Sequence, residues 1–282
     1  MAGTLYLVAT PIGNLEDMTY RAVRVLSEAD LIAAEDTRNS IRLLTHFGIR
    51  TPMTSYHEFN KYDKGRELVD QLLAGKNIAL ITDAGTPGIS DPGQEVVRMC
   101  HEAGVTVTSV PGACAAVTAL IISGQETRRF VFEAFLPAEK KERREVLSRL
   151  KDEERTMVIY EAPHHLKKTL AELFEALGDR SVTIERELTK KHETLQKTTL
   201  AEACAYYETN EPRGEYVLVI AGADHKEAVK AEQAMWQESM TIPEHVKYYE
   251  DAGMDRKEAM KAVAKDRGIS KRDVYRELIG GE

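Results

Sequence analysis

Short apolar runs of four to six residues alternate with longer amphipathic stretches through the first part of the chain. Runs at Thr4–Ala9, Asp30–Ala34, Met53–Tyr56, Ile78–Ile81 and Val105–Val110 read as strands, because each is almost continuously apolar and bounded by turn residues. The stretches between them end on Gly48, Gly75, Gly104 and Gly124, where a left-handed helix cap belongs. Near-continuous apolar strands alternating with helices predict a parallel sheet covered on both faces.

A second block is less regular. Strands are expected at Phe130–Phe135, Thr156–Tyr160, Ser181–Glu187, Glu193–Thr199 and Glu215–Ala221, with helices at Glu139–Leu150, Leu166–Leu177 and Leu200–Tyr207, which predicts a mixed sheet. The boundary between the blocks falls at Gly124–Arg128. After Gly222 the strand pattern gives way to alanine and charge. In "KEAMKAVAKDRGISKRDVYREL" Ala264 is followed by Gly268 four residues on and Val274 six further, the spacing of two helices crossing at a tight turn, as in a helix-turn-helix. Residues 255–276 carry eight Lys/Arg against four Asp/Glu. Two readings stand: a hairpin packed on its own protein or a dimer mate, or a basic arm for an anionic partner. The expected domains are an α/β unit over residues 1–124, a second α/β unit over 125–224, and a helical, helix-turn-helix-like region over 225–282.

Composition narrows the function classes. With a formal charge of −8 over 282 residues, any contact with nucleic acid must come from a local patch. Cys100, Cys114 and Cys204 are far apart and form no C-x-x-C pair, so they read as reduced thiols without a disulfide or zinc framework. His164 and His165 are adjacent; on a helix they point about 100° apart and cannot chelate together, and no metal site is expected. "MAGTLYLVATPIGN" lacks a basic segment and a long apolar core, which argues against a signal peptide. The longest apolar run, Ala113–Ile122, is too short and alanine-rich to span a bilayer, and a soluble, cytoplasmic protein is expected.

Three loops at the expected strand ends are rich in Gly and Pro: "TPIGN" (Thr10–Asn14), "DAGTPGISDPG" (Asp83–Gly93) and "PGACA" (Pro111–Ala115). In open α/β sheets ligands bind beyond the carboxyl ends of the strands. Neither G-x-x-x-x-G-K-[ST] nor G-x-G-x-x-G with a following acid is present, so nucleoside triphosphates and dinucleotides lose ground. What remains is a pocket of backbone amides and carbonyls suited to a zwitterionic, hydrogen-bonding ligand. "AAEDTR" (Ala33–Arg38) adds Glu35, Asp36 and Arg38, either as a helix cap with a local ion pair or as a carboxylate and guanidinium facing the same cleft.

"LYLVATPIGNLEDMTYRA", "AEDTR", "DAGTPGISDPG", "FLPAEKKERR", "YEAPHH", "ELTKKHE" and "GEYVLVIAG", in this order, resemble the ribosomal RNA small subunit methyltransferase I family of the tetrapyrrole-methylase superfamily. The resemblance runs from about Leu5 to Gly222. It implies two α/β domains with S-adenosylmethionine in the cleft between them, a homodimer, and 2′-O-methylation of a cytidine ribose in the decoding centre of 16S rRNA within the small ribosomal subunit. It further implies donor contacts from Pro11, Gly13 and Asn14; from Asp83, Gly85, Thr86, Pro87, Ile89 and Ser90; from Gly112, Ala113, Cys114 and Ala115; and from Tyr160, Ala162 and Ala221. Backbone N–H groups of the Asp83–Gly93 turn are expected to bind the donor's carboxylate. The chain departs from the family pattern at His165, where Arg is usual, and at Phe59, where His is frequent.

Their strand-end positions nominate Asp36 and Glu161 as general bases, with Arg38 holding a phosphate or carboxylate. For RNA, the helix "AEKKERREVLSRLK" (Ala138–Lys151) has six Lys/Arg against three Asp/Glu. Arg129, Lys140, Lys141, Arg143 and Arg144, with Lys271 and Arg272 of the hairpin, are the expected phosphate contacts, the alternative for the helix being a solvated face of i,i+4 pairs. Two other functions remain open: the same chemistry on a tetrapyrrole or other small acceptor, or an RNA-binding ribosome-assembly protein that transfers nothing.

Overall fold

The computed structural model describes residues 1–224, 235–236 and 239–279. Residues 225–234, 237–238 and 280–282 of the expected C-terminal region lie outside the described residues. The chain divides into two compact units, Met1–Gly222 and Ala223–Glu282.

The first unit holds two sheets. Strands β1 (Thr4–Val8), β2 (Leu31–Ala34), β3 (Met53–Ser55), β4 (Ile78–Ile81) and β5 (Thr106–Val110) form a parallel sheet in the order β3-β2-β4-β1-β5. Helices α1 (Tyr20–Glu28) and α2 (Thr37–His46) cover one face; α3 (Lys61–Leu73) and α4 (Gly93–Glu102) cover the other. The continuous apolar runs follow from this. Along β4, Ala79 and Ile81 join the cluster with Leu26 and Leu44, while Ile78 and Leu80 join Leu68, Leu72 and Val96 on the opposite side.

Strands β6 (Phe130–Phe135), β7 (Thr156–Glu161), β8 (Ser181–Arg186), β9 (Thr194–Thr199) and β10 (Tyr216–Ile220) form the second sheet, in the order β6-β7-β10-β8-β9. Only the β6–β7 pair is parallel; the other pairs are antiparallel, so the sheet is mixed. One face carries α6 (Lys140–Leu150), α7 (Pro163–Leu177) and α8 (Leu200–Thr209). The other receives α5 (Ala115–Ser123), whose Ala116, Ala119 and Leu120 pack on Val158, Val217 and Val219. Helix α5 thus follows the first sheet in the chain but packs on the second, and this apolar contact ties the two sheets together.

In the second unit α9 (Ile242–Asp251), α10 (Arg256–Asp266) and α11 (Lys271–Ile279) enclose a small core of Val246, Ala259, Val263, Ala264 and Val274. The turn between α10 and α11 passes through Gly268 at φ 63. Ala264 and Val274, on either side of it, both join that core, in keeping with the helix-turn-helix spacing.

Candidate active site

Strands β1 and β4 are neighbours whose onward connections run in opposite directions, to β2 on one side and to β5 on the other. That leaves a crevice beyond their carboxyl ends. The loops leaving them are tied together there: Thr10 N–H donates to the Gly85 carbonyl at 2.9 Å and Gly85 N–H returns to the Thr10 carbonyl at 3.1 Å. The Thr86 hydroxyl donates to the Ala113 carbonyl at 2.8 Å, which joins the third glycine-rich loop. At Gly85, φ is +81 and a Cβ would lie 3.2 Å from Ile12 Cγ2, so both torsion and space select glycine.

These loops and the ends of β7, β8 and β10 enclose a cavity of about 310 Å³, at the small end of the ~300–1,000 Å³ usual for small-molecule sites. Ten expected site residues line it: Asp83, Gly85, Thr86, Ile89, Ser90, Cys114 and Ala115 from the first sheet's loops, and Tyr160, Glu161 and Ala162 from β7 and its end. Tyr160 also joins the halves, because its hydroxyl accepts the backbone N–H of Ala116 at 2.9 Å, in the first turn of α5. Burial, and then the charge of nearby Cys114, pushes that phenol up to about 12. A β-bulge between Phe132 and Ala134 lets two rings of odd spacing, Phe132 and Phe135, both meet Tyr160 edge-on at 5.0 and 5.6 Å.

The Asp83–Gly93 turn is organised from within. The Asp91 carboxylate accepts the amides of Gly88 (2.8 Å), Ile89 (3.2 Å) and Gly93 (2.7 Å). Burial raises its pKa despite these bonds. With Gly85 committed to Thr10, only some of the turn's N–H groups are left to meet a ligand. The amides of Thr86 and Ser90, both cavity-lining residues, donate to no group among the described residues. Ser90 sits at φ 67, an uncommon conformation for a side chain-bearing residue.

Several expected site residues are not among those lining the cavity. Asn14 caps the short 3₁₀ turn Leu15–Asp17, accepting from Glu16 N–H. Gly13 lies against the Lys190 side chain, Gly112 lies over Ala9, and Pro87 is buried in the turn. Pro11 and Ala113 flank the cavity through Ile12 and Cys114, which line it. Ala221 is displaced for a clear reason. Strand β10 runs antiparallel to β7, pairing Tyr216 with Glu161 and Ile220 with Met157. The cavity therefore meets the beginning of β10, and Ala221 lies at the far end of the sheet.

Of the three expected catalytic residues, Glu161 lines the cavity and is buried, accepting from Ala162 N–H and from the Thr169 hydroxyl. Asp36 and Arg38 do not line it. Asp36 is the N-cap of α2 and accepts from the Arg38 side chain at 2.8 and 3.1 Å and from the Arg38 amide at 2.8 Å. Those bonds hold its carboxyl down at about 2. The Arg38 side chain is 89% exposed. "AAEDTR" is thus a cap with a local ion pair, and its carboxylate in the cavity is Glu35, which accepts the Thr82 hydroxyl at 2.7 Å. Beside it, burial and then the charge of Glu35 raise Asp83 above the ordinary carboxylate range.

Among the expected RNA contacts, Arg129, Lys140, Lys141, Arg144, Lys271 and Arg272 are exposed. Arg143 is not. Only 9% exposed, it donates to Thr169 Oγ1 at 2.7 Å and to Glu172 at 2.6 Å, and its guanidinium also reaches the carbonyls of Leu136 and Pro137. It holds α6 to α7 and supports Glu161 through Thr169. Among the described residues no group of three His, Cys, Asp or Glu side chains could hold a metal ion, and no helix is long and apolar enough to cross a membrane.

Residues 4–204 match the family described as tetrapyrrole (corrin/porphyrin) methylases. The chain is 50% identical over 273 residues to a Halalkalibacterium halodurans protein named ribosomal RNA small subunit methyltransferase I, covering 97% of this chain and 93% of that protein. A Bacillus subtilis protein of the same name is 48% identical with the same coverage. The chain belongs to the tetrapyrrole methylase family. Among solved structures, diphthine synthase superposes with a TM-score of 0.59 at 12% identity, covering 80% of this chain and 93% of that one. Uroporphyrin-III C-methyltransferase of Thermus thermophilus, complexed with S-adenosyl homocysteine, gives 0.55 at 19% identity, covering 78% and 97%. These two likenesses are of fold.

The second sheet contributes more cavity wall than the sequence indicates. Glu185, Leu188, Glu215, Tyr216 and Val217 line it, and Lys190 closes the rim by pairing with Glu187 and Glu215 at 2.9 and 2.7 Å. The signal available in the sequence was the "ELTKKHE" stretch, where Glu187 (φ 55) and Thr189 (φ 65) adopt left-handed backbone.

Proposed function

We propose that this methylase transfers the methyl group of S-adenosylmethionine to the 2′-oxygen of a cytidine ribose in the decoding centre of 16S rRNA, acting as a homodimer on the small ribosomal subunit in the cytoplasm. The observation that carries the reading is the cavity at the β1–β4 crevice, in a chain 50% identical over 97% of its length to a protein named ribosomal RNA small subunit methyltransferase I.

The cavity's chemistry fits the donor. Its lining is of two kinds: the free amides of Thr86 and Ser90 suit a carboxylate, while Ile12, Leu188 and Val217 offer apolar wall for a nucleoside. When bound, the donor supplies a methyl group made electrophilic by its sulfonium. The protein's tasks are alignment and removal of the hydroxyl proton. Alignment can contribute ~7–11 kcal/mol and a general base ~10²–10⁴-fold. Asp83 is the better base: it lines the cavity and its pKa is raised, whereas Asp36 is turned to Arg38 and held near 2. Glu161, fixed by Thr169 and Ala162, positions that wall.

RNA would be held by Arg129, Lys140, Lys141 and Arg144, with Lys151 and Lys168 extending the basic groove between α6 and α7, and by Lys271 and Arg272 of the helical unit. In the homodimer the partner would cover the outer face of α5, where Val117, Ile121 and Ile122 are exposed. The test is single-turnover transfer from labelled S-adenosylmethionine to small subunits lacking the modification, followed by mapping of 2′-O-methyl groups. Label on tetrapyrrole acceptors alone, or no donor binding by calorimetry, would sink this reading.

A further inference from the structure

Glu185 is an acid in an apolar place. It stands near the end of β8, 1% exposed, and both of its carboxyl oxygens lack a hydrogen-bond partner among the described residues. Its neighbours across the sheet are Val217 of β10 and Leu195 of β9, with Tyr160 of β7 beyond Val217. Val182 and Ile184 point into the core beneath α6–α8, so Glu185 and Thr183 face the other way, towards α5 and the cavity. An unpaired carboxyl buried in this way costs several kcal/mol, which an aliphatic residue in the same row would avoid. A partner that arrives with a ligand accounts for it.

The chemistry of that partner follows from the setting. The charged and titratable groups around Glu185 are Glu193 just before β9, Tyr160 and Glu161 of β7, Glu215 just before β10 and Tyr216 at its start, and Cys114 before α5. Lys190, the nearby cation, is committed to Glu187 and Glu215, and Arg186, next along the strand, alternates to the opposite face. Burial, and then the charge of Glu193, pushes the Glu185 carboxyl up to about 8, so at neutral pH it carries its proton. A neutral carboxyl presents an O–H donor beside a carbonyl acceptor. The adenine edge, an amino donor beside a ring-nitrogen acceptor, is complementary to it in two places.

We infer that Glu185, in its protonated form, reads the adenine edge of the bound donor, donating to a ring nitrogen and accepting from the exocyclic amino group. This rests on the donor occupying the cavity with its amino-acid end at Thr86 and Ser90. Glu185 is then the residue that makes the site select an adenosyl group.

The test is calorimetric titration of the full chain with S-adenosylhomocysteine and with methylthioadenosine, which lacks the amino-acid end, from pH 6.5 to 9.5. Wild-type affinity should fall up to tenfold per pH unit above about 8. Glu185→Gln keeps a donor beside an acceptor and should bind tightly with no such fall. Glu185→Leu, which suits the row of Val217 and Leu195, should fold normally and lose about 10–100-fold for both ligands. The inference is overturned if Glu185→Leu binds both as wild type does, or if methylthioadenosine alone is unaffected by the substitution. It is also overturned if Glu185→Gln loses affinity while the wild type keeps it at high pH, which would make the residue an anionic partner for the ammonium group. Wild-type protein that binds S-adenosylhomocysteine at no pH would instead overturn the methyl-donor reading, and this inference with it.

Discussion

Tyr160 in the second sheet accepts the backbone N–H of Ala116 in the first turn of α5, at 2.9 Å. One side chain thus caps the helix that carries Cys114 and Ala115 to the cavity and fixes the spacing of the two halves. Tyr160→Phe keeps the ring's contacts with Phe132 and Phe135 but leaves that N–H unpaired. Urea denaturation should show a loss of about 1–2 kcal/mol, accompanied by weaker binding of S-adenosylhomocysteine. An unchanged midpoint would mean that the helix terminus finds another acceptor.

The two acids that follow β2 and β4 should separate sharply. Asp83→Asn is expected to slow single-turnover transfer by ~10²-fold or more, with donor binding retained, and Asp36→Asn to leave the rate near wild type. Asp36 has a different signature. Its carboxyl is depressed from 3.8 to about 2 when folded, so its contribution to stability is present above pH 3.8 and disappears as pH falls through about 2. The stability difference between wild type and Asp36→Asn should close over that window.

Arg143 and Arg144 are neighbours in sequence with opposite roles. Arg143→Ala removes the donor to Thr169 and Glu172 and should cost about 2–3 kcal/mol while leaving the salt dependence of RNA binding unchanged. Lys140→Glu with Arg144→Glu should barely alter stability and should flatten that dependence, by ~0.7–0.9 in slope for each phosphate that is no longer neutralised. Filter binding from 50 to 200 mM salt distinguishes them.

These contrasts mark what the amino-acid pattern could reveal. The first sheet was legible because both of its faces are covered, which writes β4 as an unbroken apolar run, and because glycines punctuate its helices. Arg143 was illegible because charge along α6 does not say which cation turns inward; that depends on Thr169 and Glu172, which lie 26 and 29 residues away. Ala221 lies away from the cavity because strand direction in a mixed sheet is a tertiary property. Glu185 was hidden because "SVTIER" reads as a strand with one wet face, Thr183 and Glu185 outward. Only the packing of α5 makes that face dry.

The same burial gives Glu185 a pH signature without any ligand. In the unfolded chain the carboxyl ionises near 4.5; folded, it keeps its proton to about 8. Its favourable share of stability is full below pH 4.5 and is lost as pH rises to about 8. Glu185→Gln should therefore match wild type at pH 4.5 and exceed it at pH 8.5, by on the order of a few kcal/mol. Urea midpoints at both pH values check this, and a constant gap would mean that the acid has found a partner.

Asp91 has a quieter consequence. By gripping three amides of its own turn, it gives the lip of the chamber its final curvature before any guest arrives. Entry then demands little ordering of the chain, so more of each new contact is kept as affinity. The internal acid acts as a keystone, and the visitor meets an arch already standing.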